Sequence, residues 1–151
     1  MGTSIEIYNF ICEGLSKAGL NVDKQDICSY SPLTLAYIGD GVYELVIRSM
    51  ILADGNAPVN KLHKKSSGLV KAETQAQIVK IFLDDELLTD DEIRIYKRGR
   101  NAQSYTKAKN ASMVDYRMAT GFEALIGYLY LLGKSDRMME LIGHGLKKMP
   151  L

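Results

Sequence analysis

Apolar residues recur at intervals of three and four along most of the chain, which is the period of an amphipathic helix. Near the N-terminus, Thr3 and Glu6 have the spacing of a capping box, and a first helix is predicted to follow them. A long second helix is predicted to start at Ser31-Pro32, because a serine cap and a proline in the first turn mark helix starts. Its apolar pattern continues to about Asp54.

The rest of the chain is predicted to be helical as well. Thr89 and Glu92 form another capping box, and the polar stretch from Gly99 to Ala111 is expected to be a loop. No segment alternates with the two-residue period of a strand, so the fold class is predicted to be all-α, a compact helical bundle forming one domain over residues 1–151. Besides the helix that Thr89 opens, helices are expected from Val59 to Ser66 with a break at Gly68, from Val70 to Leu87, from Ser112 to Leu132, and from a cap at Ser135-Asp136 to about Met149.

Composition narrows the class of protein only a little. The fractions of hydrophobic (46%) and charged (25%) residues are those of an ordinary soluble domain, and the net charge of +1 indicates no partner. Cys12 and Cys28 stand far apart, which indicates neither a zinc site nor a disulfide framework. There is no signal-peptide pattern, and the most apolar run is too short to span a bilayer. We therefore expect a cytoplasmic protein with reduced thiols and no membrane partner.

One acid lies inside a segment that otherwise has the pattern of a core helix. In LAYIGDGVYELVI, Asp40 stands between Gly39 and Gly41, and each glycine costs about 1 kcal/mol relative to alanine in a helix. Glycines beside an acid leave room for a bulky group such as a nucleic-acid backbone. The alternative is a helix break at Gly39, with Asp40 capping a new helix.

A second acid has the same unusual setting. In TGFEALIGYLYLL, Glu123 is surrounded by apolar residues, although charged side chains are rarely buried unless they are paired or bind metal. The alternative is a glutamate that faces solvent at the helix edge. If the two helices pack side by side, Asp40 and Glu123 share a pocket, and their oxygens suit Mg²⁺. Glu44 lies one turn after Asp40 and either assists the site or faces a partner subunit.

Basic residues are concentrated in the helix that Thr89 opens and in the polar stretch that follows it. No acid occurs from Ile93 through Val114, and amides and hydroxyls are interleaved with the cations. This composition favours contacts with RNA phosphates and 2′-hydroxyls, although a solvated charged surface is the alternative. A weaker basic cluster surrounds His63, which either contacts phosphate or lies on the surface. The RNA-binding candidates are Lys64, Arg98, Arg100, Asn101, Lys107 and Lys109.

The two acidic segments resemble the motifs of the ribonuclease III family. LAYIGDGVYE is similar to the family signature that ends in Gly-Asp, and FEALIGYLYL, about eighty residues later, is similar to its second motif. The tract YKRGRNAQSYTKAKN resembles the subgroup called Mini-ribonuclease III, which lacks a double-stranded-RNA-binding domain. The resemblance implies that Asp40 and Glu123 are catalytic metal ligands. Two further acids of the family are replaced here by Ala36 and Thr120, which leaves the number of metals open.

The resemblance also implies an activity and partners. We expect a Mg²⁺-dependent endoribonuclease, with Mn²⁺ able to substitute, that cuts double-stranded RNA as a homodimer and leaves 5′-phosphate and 3′-hydroxyl ends. The implied substrate is precursor 23S ribosomal RNA, trimmed at both ends, with a ribosomal protein as a candidate assisting partner. The alternative function is a non-catalytic RNA-binding or ribosome-associated module on the same fold, for which the absence of acids at Ala36 and Thr120 is the main argument.

Overall fold

The computed structural model describes residues 6–102 and 112–150. These residues are helical apart from short connections, and they contain no strand, so the predicted all-α class is confirmed. A 3₁₀ turn, Ile27–Ser29, precedes the second helix. The α-helices are α1 (Ile7–Lys17), α2 (Pro32–Leu52), α3 (Val59–Val70), α4 (Ala72–Asp84), α5 (Asp90–Asn101), α6 (Met113–Leu131) and α7 (Ser135–Lys148).

Local capping explains where three of these helices begin. The Ser31 hydroxyl accepts a hydrogen bond from the Thr34 backbone N–H, and the Ser112 hydroxyl accepts one from that of Asp115. At the start of α5, the capping box is complete: Thr89 accepts from the Glu92 backbone N–H, while the Glu92 carboxylate accepts from that of Thr89. These caps satisfy backbone donors that a helix start would otherwise leave unpaired.

Several predicted boundaries differ from the structure. Gly68 does not end α3, which continues to Val70, and α5 extends through Asn101 into the stretch predicted as a loop. Ser135 is the first helical residue of α7 rather than its cap, and its buried hydroxyl has no hydrogen-bond partner. The 3₁₀ turn was not predicted, because three residues are too few to show a hydrophobic period. Thr3, of the N-terminal capping box, lies outside the described residues.

Helix α6 is the centre of the bundle. It packs against α2, α4 and α5 along most of its length, and it also contacts α1 and α7. Because neighbours surround it, apolar side chains are buried on nearly every face of the helix. The Phe122 ring, for example, packs edge-on against Tyr43 of α2 at 5.0 Å between centroids and against Phe82 of α4 at 6.1 Å.

Two glycines let α2 and α6 approach backbone to backbone. A Cβ added to Gly39 would lie 1.8 Å from the Glu123 carbonyl oxygen, and one added to Gly127 would lie 2.0 Å from that of Leu35. Leu35 of α2 faces Gly127 of α6. One turn further along α2, Gly39 faces Glu123, which lies one turn before Gly127 in α6. The two helices therefore run antiparallel and touch over one full turn, where only glycine fits.

Helix α5 approaches α6 in a similar way. A Cβ on Gly99 would lie 2.8 Å from the Ala124 Cβ and 2.9 Å from the Gly121 Cα, while Gly121 leaves space for the ring of Tyr96. The C-terminal turn of α5 is thereby held against the turn of α6 that carries Glu123. No helix in residues 6–102 and 112–150 is long and apolar enough to cross a membrane.

Candidate active site

The close crossing of α2 and α6 brings the two sequence-predicted acids together. Glu123 contacts Gly39 through its own backbone, and Asp40 is the next residue along α2. The Asp40 carboxyl group is close enough to that of Glu123 to raise its pKa. Helix α2 runs without interruption from Pro32 to Leu52, so the alternative of a helix break at Gly39 is wrong. Asp40 is exposed, whereas Glu123 is mostly buried.

The electrostatics of this pair are unfavourable without a cation. Burial is the largest cause that raises the pKa of Glu123, and the hydrogen bond and negative charge of Asp40 raise it further, to about 9. A hydrogen-bond contribution from Gln75 lowers this pKa by a smaller amount. Near neutral pH the metal-free pair therefore retains a proton. A cation bound between the two carboxyl groups would take the place of that proton, because it removes the same repulsion.

The donor set fits Mg²⁺. This ion prefers oxygen ligands and is usually held by one or two carboxylates, with water and substrate phosphate completing its shell. Among the described residues, no group of three or more histidine, cysteine, aspartate or glutamate side chains could hold a metal, so Asp40 and Glu123 are two candidate ligands without a third of these types. Ala36 and Thr120, where the resemblance implied acids, are both buried, and the Thr120 hydroxyl donates to the Tyr116 carbonyl.

A buried polar group from α4 borders the pair, and the sequence interpretation missed it. Gln75 is only 2% exposed; its amide nitrogen donates to the Val70 carbonyl at 2.9 Å, and its amide lowers the pKa of Glu123. A signal was present in the sequence. Gln75 lies three residues before Ile78 and four before Val79, on the apolar face of α4, where a polar residue is unusual.

The basic candidates divide into two groups. Arg98, Arg100 and Asn101 lie in the last turn of α5, which Gly99 packs against the Glu123 turn of α6. Arg98 and Asn101 are exposed and border a shallow basic cavity. The Arg100 guanidinium lies 5.7 Å from the centre of the Tyr96 ring and donates to the Asn101 side-chain oxygen at 3.2 Å. Positive charge is therefore carried by the turn of α5 that packs against the Glu123 turn of α6.

The other candidates are less closely connected with the pair. Lys64 is exposed on α3, apart from the α5 cations, and His63 borders an apolar cavity together with Arg48. The Glu44 carboxylate accepts a hydrogen bond from Arg48 at 2.7 Å, so a local ion pair occupies it. Lys107 and Lys109 lie outside the described residues.

Comparisons with known proteins place this chain in a family. A model of the ribonuclease III domain matches residues 33–134, which include α2 through α6 and both acids. The Mini-ribonuclease 3 of Clostridium tetani is 50% identical over 125 residues, 82% of each chain. That of Enterococcus faecalis is 44% identical over 82% of this chain and 94% of its own length.

A solved structure agrees with this assignment. The crystal structure of protein FN1578 from Fusobacterium nucleatum superposes with a TM-score of 0.74 at 34% identity, and the match covers 82% of this chain and 99% of that one. The Mini-ribonuclease 3 relatives favour an enzyme over the alternative of a non-catalytic RNA-binding module. The chain therefore belongs to the ribonuclease III family, in its Mini-ribonuclease 3 group, and is an endoribonuclease.

Proposed function

We propose that this chain cleaves double-stranded RNA with Mg²⁺ held between Asp40 and Glu123. The observation that carries the proposal is the backbone contact of Gly39 with Glu123, which places Asp40 beside the mostly buried Glu123 carboxyl group, whose pKa is raised to about 9. Such a pair destabilises the fold unless a proton or a cation binds to it. Ionisable groups in such unfavourable settings are concentrated at functional sites, which supports a functional role for this pair. Mn²⁺ is expected to substitute, because it accepts the same oxygen ligands.

The two acids have different roles in this proposal. Glu123, mostly buried against the backbone of α2, anchors the cation within the fold, and exposed Asp40 holds it on the side that faces the RNA. Beside Asp40, Gly41 has no neighbouring atom of the subunit within 4 Å of an added Cβ, and it lies between Tyr37 and Leu45 on the outer face of α2. The bound ion supplies charge stabilisation for the scissile phosphate and an activated water, and the products are 5′-phosphate and 3′-hydroxyl ends.

The RNA duplex is held mainly through its phosphates. Arg98, Arg100 and Asn101 extend from the α5 turn that packs beside Glu123, and Lys64 adds a cation on α3. We assign Lys107 and Lys109 to the same role from the sequence alone. A-form RNA presents 2′-hydroxyls and phosphates across a wide minor groove, so recognition follows shape and depends little on base sequence.

A second copy of the chain completes the proposed enzyme. Val42, Tyr43 and Ile47 of α2 are buried within the subunit, and Val46 is half-buried, so these apolar residues do not require a partner. Helix α2 nevertheless leaves other apolar side chains on its outer face, among them Tyr37 (79% exposed) and Leu45 (62% exposed). A symmetric homodimer buries such a face and presents one acidic pair to each strand of the duplex.

The finer biological assignment follows the family resemblance. We propose that the chain is one catalytic domain, acts in the cytoplasm and trims both ends of precursor 23S ribosomal RNA, with a ribosomal protein bound to that RNA as a possible aid. The 50% identity to the Mini-ribonuclease 3 of Clostridium tetani supports this assignment.

The test compares three RNAs of equal length: a precursor 23S end stem, an unrelated perfect duplex and one strand of that duplex alone. With Mg²⁺ the protein is expected to cut both duplexes and leave 5′-phosphates, to prefer the precursor stem, and to leave the single strand intact. Equal cutting of the single strand would refute the duplex assignment. Equal rates on the two duplexes would refute the ribosomal one.

A further inference from the structure

The shallow basic cavity beside the last turn of α5 is part of an elongated groove. Residues on one face of α5, from Asp90 to Asn101, line this groove together with Pro32, the first residue of α2. We propose that the groove holds backbone phosphates of one RNA strand beyond the cleavage site, with Lys97 as its main contact. The inference rests on the proposed cleavage of double-stranded RNA and adds a binding surface to it.

The spacing of the lining residues shows that the groove follows the helix. They recur at intervals of three and four, which places them on one face of α5: Asp90, Ile93, Arg94, Lys97, Arg98 and Asn101. The last of them comes eleven residues after the first, so at 1.5 Å per residue this face is about 16 Å long. The cavity has a volume of about 640 Å³ and is open to solvent. A long, open groove of this kind fits an extended chain better than a small compact ligand.

Cations with weak partners or none line the C-terminal half of the groove. Lys97 and Arg98 are exposed, and neither forms an ion pair within the part of the chain that the structure describes. Arg94 is paired with Asp91 at 2.9 Å, but the two side chains are 62% and 65% exposed, and such exposed pairs are weak. The acid that lines the groove, Asp90, lies at the N-terminal end of α5. The groove therefore suits a polyanion such as the RNA backbone.

The groove lies close to the acidic pair. On its buried side, α5 packs Ile95 against Ala36 of α2 and Ala124 of α6, the two helices that carry the acids. Pro32 comes eight residues before Asp40 on α2, which corresponds to about 12 Å along the helix axis. An RNA strand with its scissile phosphate at Asp40 therefore needs only a few further nucleotides to reach the groove.

Lys97 and Arg100 occupy different positions around α5. Arg100 does not line the groove; its guanidinium lies 5.7 Å from the centre of the Tyr96 ring and donates to the Asn101 side chain. Lys97 has no hydrogen bond or ring contact with the described residues, so its ammonium group is available to a phosphate. The sequence interpretation did not include Lys97 among the RNA-binding candidates, because a linear tract of cations does not show which of them share a groove.

The test compares full-length Lys97→Gln with Lys147→Gln as its matched control. Lys147 is an exposed lysine on α7 that does not line the groove, so both changes remove one positive charge from the surface. Lys97→Gln is expected to bind a long perfect RNA duplex several-fold more weakly and to reduce the slope of the log–log salt dependence by about one unit. KM should rise more than kcat falls, because the contact is made equally before and during cleavage. Lys147→Gln should behave as the wild type does.

Shortening the RNA tests where the Lys97 contact lies. In a duplex that stops less than about 12 Å beyond each cut, no phosphate reaches the groove. On this short duplex, Lys97→Gln and the wild type are expected to have the same affinity and the same salt slope. Equal losses on the short and the long duplex would place the contact at the cut itself and refute its position beyond the cleavage site.

Two further outcomes would overturn the proposal. Unchanged binding of the long duplex by Lys97→Gln would show that the groove does not hold RNA, and an acidic segment of another protein would then be the better candidate for it. Equal losses in Lys97→Gln and Lys147→Gln would show only an effect of total charge. Failure of the wild type to bind or cut duplex RNA would instead refute the proposed function itself.

Discussion

Replacing Glu123 by glutamine should stabilise the metal-free protein while abolishing its activity. The variant keeps the volume and hydrogen-bonding reach of the side chain but cannot ionise. In the folded wild type, burial and then the neighbouring Asp40 raise the pKa of Glu123 to about 9, from an ordinary value of 4.5. The unfolded chain ionises freely at the lower pKa, so deprotonation favours unfolding.

The sign and size follow from linkage. Below about pH 4.5 the carboxyl is protonated in both states and has no pH-dependent effect. As pH rises from there to about 9, the folded state keeps a proton that the unfolded state has lost, and the free energy of unfolding falls by up to about 1.4 kcal/mol per pH unit. At pH 7 this loss of free energy amounts to about 3 kcal/mol, and solvent screening of the partly exposed carboxyl group reduces it.

Urea unfolding with a chelator present, at fixed protein concentration, measures this difference at several pH values. Relative to pH 5, we expect the free energy of unfolding of Glu123→Gln to gain about 3 kcal/mol over that of the wild type by pH 7.5. Glu44→Gln is the matched control, since Glu44 carries the same charge on the adjoining helix but pairs with Arg48. Parallel pH profiles for wild type and Glu123→Gln would refute the electrostatic reasoning. Added Mg²⁺ should stabilise the wild type and leave Glu123→Gln unchanged.

Three further predictions concern packing, assembly and RNA affinity. Gly39→Ala should lower the free energy of unfolding in urea by at least about 1–3 kcal/mol, because its Cβ would meet the α6 backbone; an unchanged free energy would contradict the close crossing of α2 and α6. Leu45→Arg should give monomers in light scattering, while Met139→Arg, at an exposed site on α7, should not; a dimeric Leu45→Arg protein would move the interface elsewhere. The basic group consists of Arg98, Arg100, Lys107 and Lys109. Each alanine substitution in this group should reduce the slope of the log–log salt dependence of duplex binding by about one unit. An unchanged slope would show that the substituted residue belongs to a solvated surface and does not contact the RNA.

The helices themselves were largely predictable because their signals are local. The Ser31 and Thr89 caps and the three- and four-residue apolar period are readable from a few neighbouring residues, and they place α2 and α5 correctly. Errors occurred where tertiary contacts override local preference. The helix α5 continues to Asn101 because Gly99 is packed against α6, which a polar sequence does not reveal.

The candidate site was predictable in composition but not in arrangement. Asp40 and Glu123 stood out because each is an acid in an apolar helix. Their contact depends on the fit of Gly39 against the Glu123 carbonyl, which is a property of two helices and not of either segment. Gln75 was missed because its hydrogen-bond partner, the Val70 carbonyl, lies at the end of α3, so only a polar residue on the apolar face of α4 was visible in the sequence.

The central claim is that Asp40 and Glu123 together form a metal-dependent cleavage centre. Its most direct test is the cleavage rate of labelled duplex RNA by the wild type, Asp40→Asn and Glu123→Gln, each with Mg²⁺ and with chelator, beside duplex binding measured without metal. We predict cleavage only by the wild type with Mg²⁺, and similar RNA affinity for all three proteins. Cleavage near the wild-type rate by either variant, or undiminished wild-type cleavage in chelator, would contradict the account.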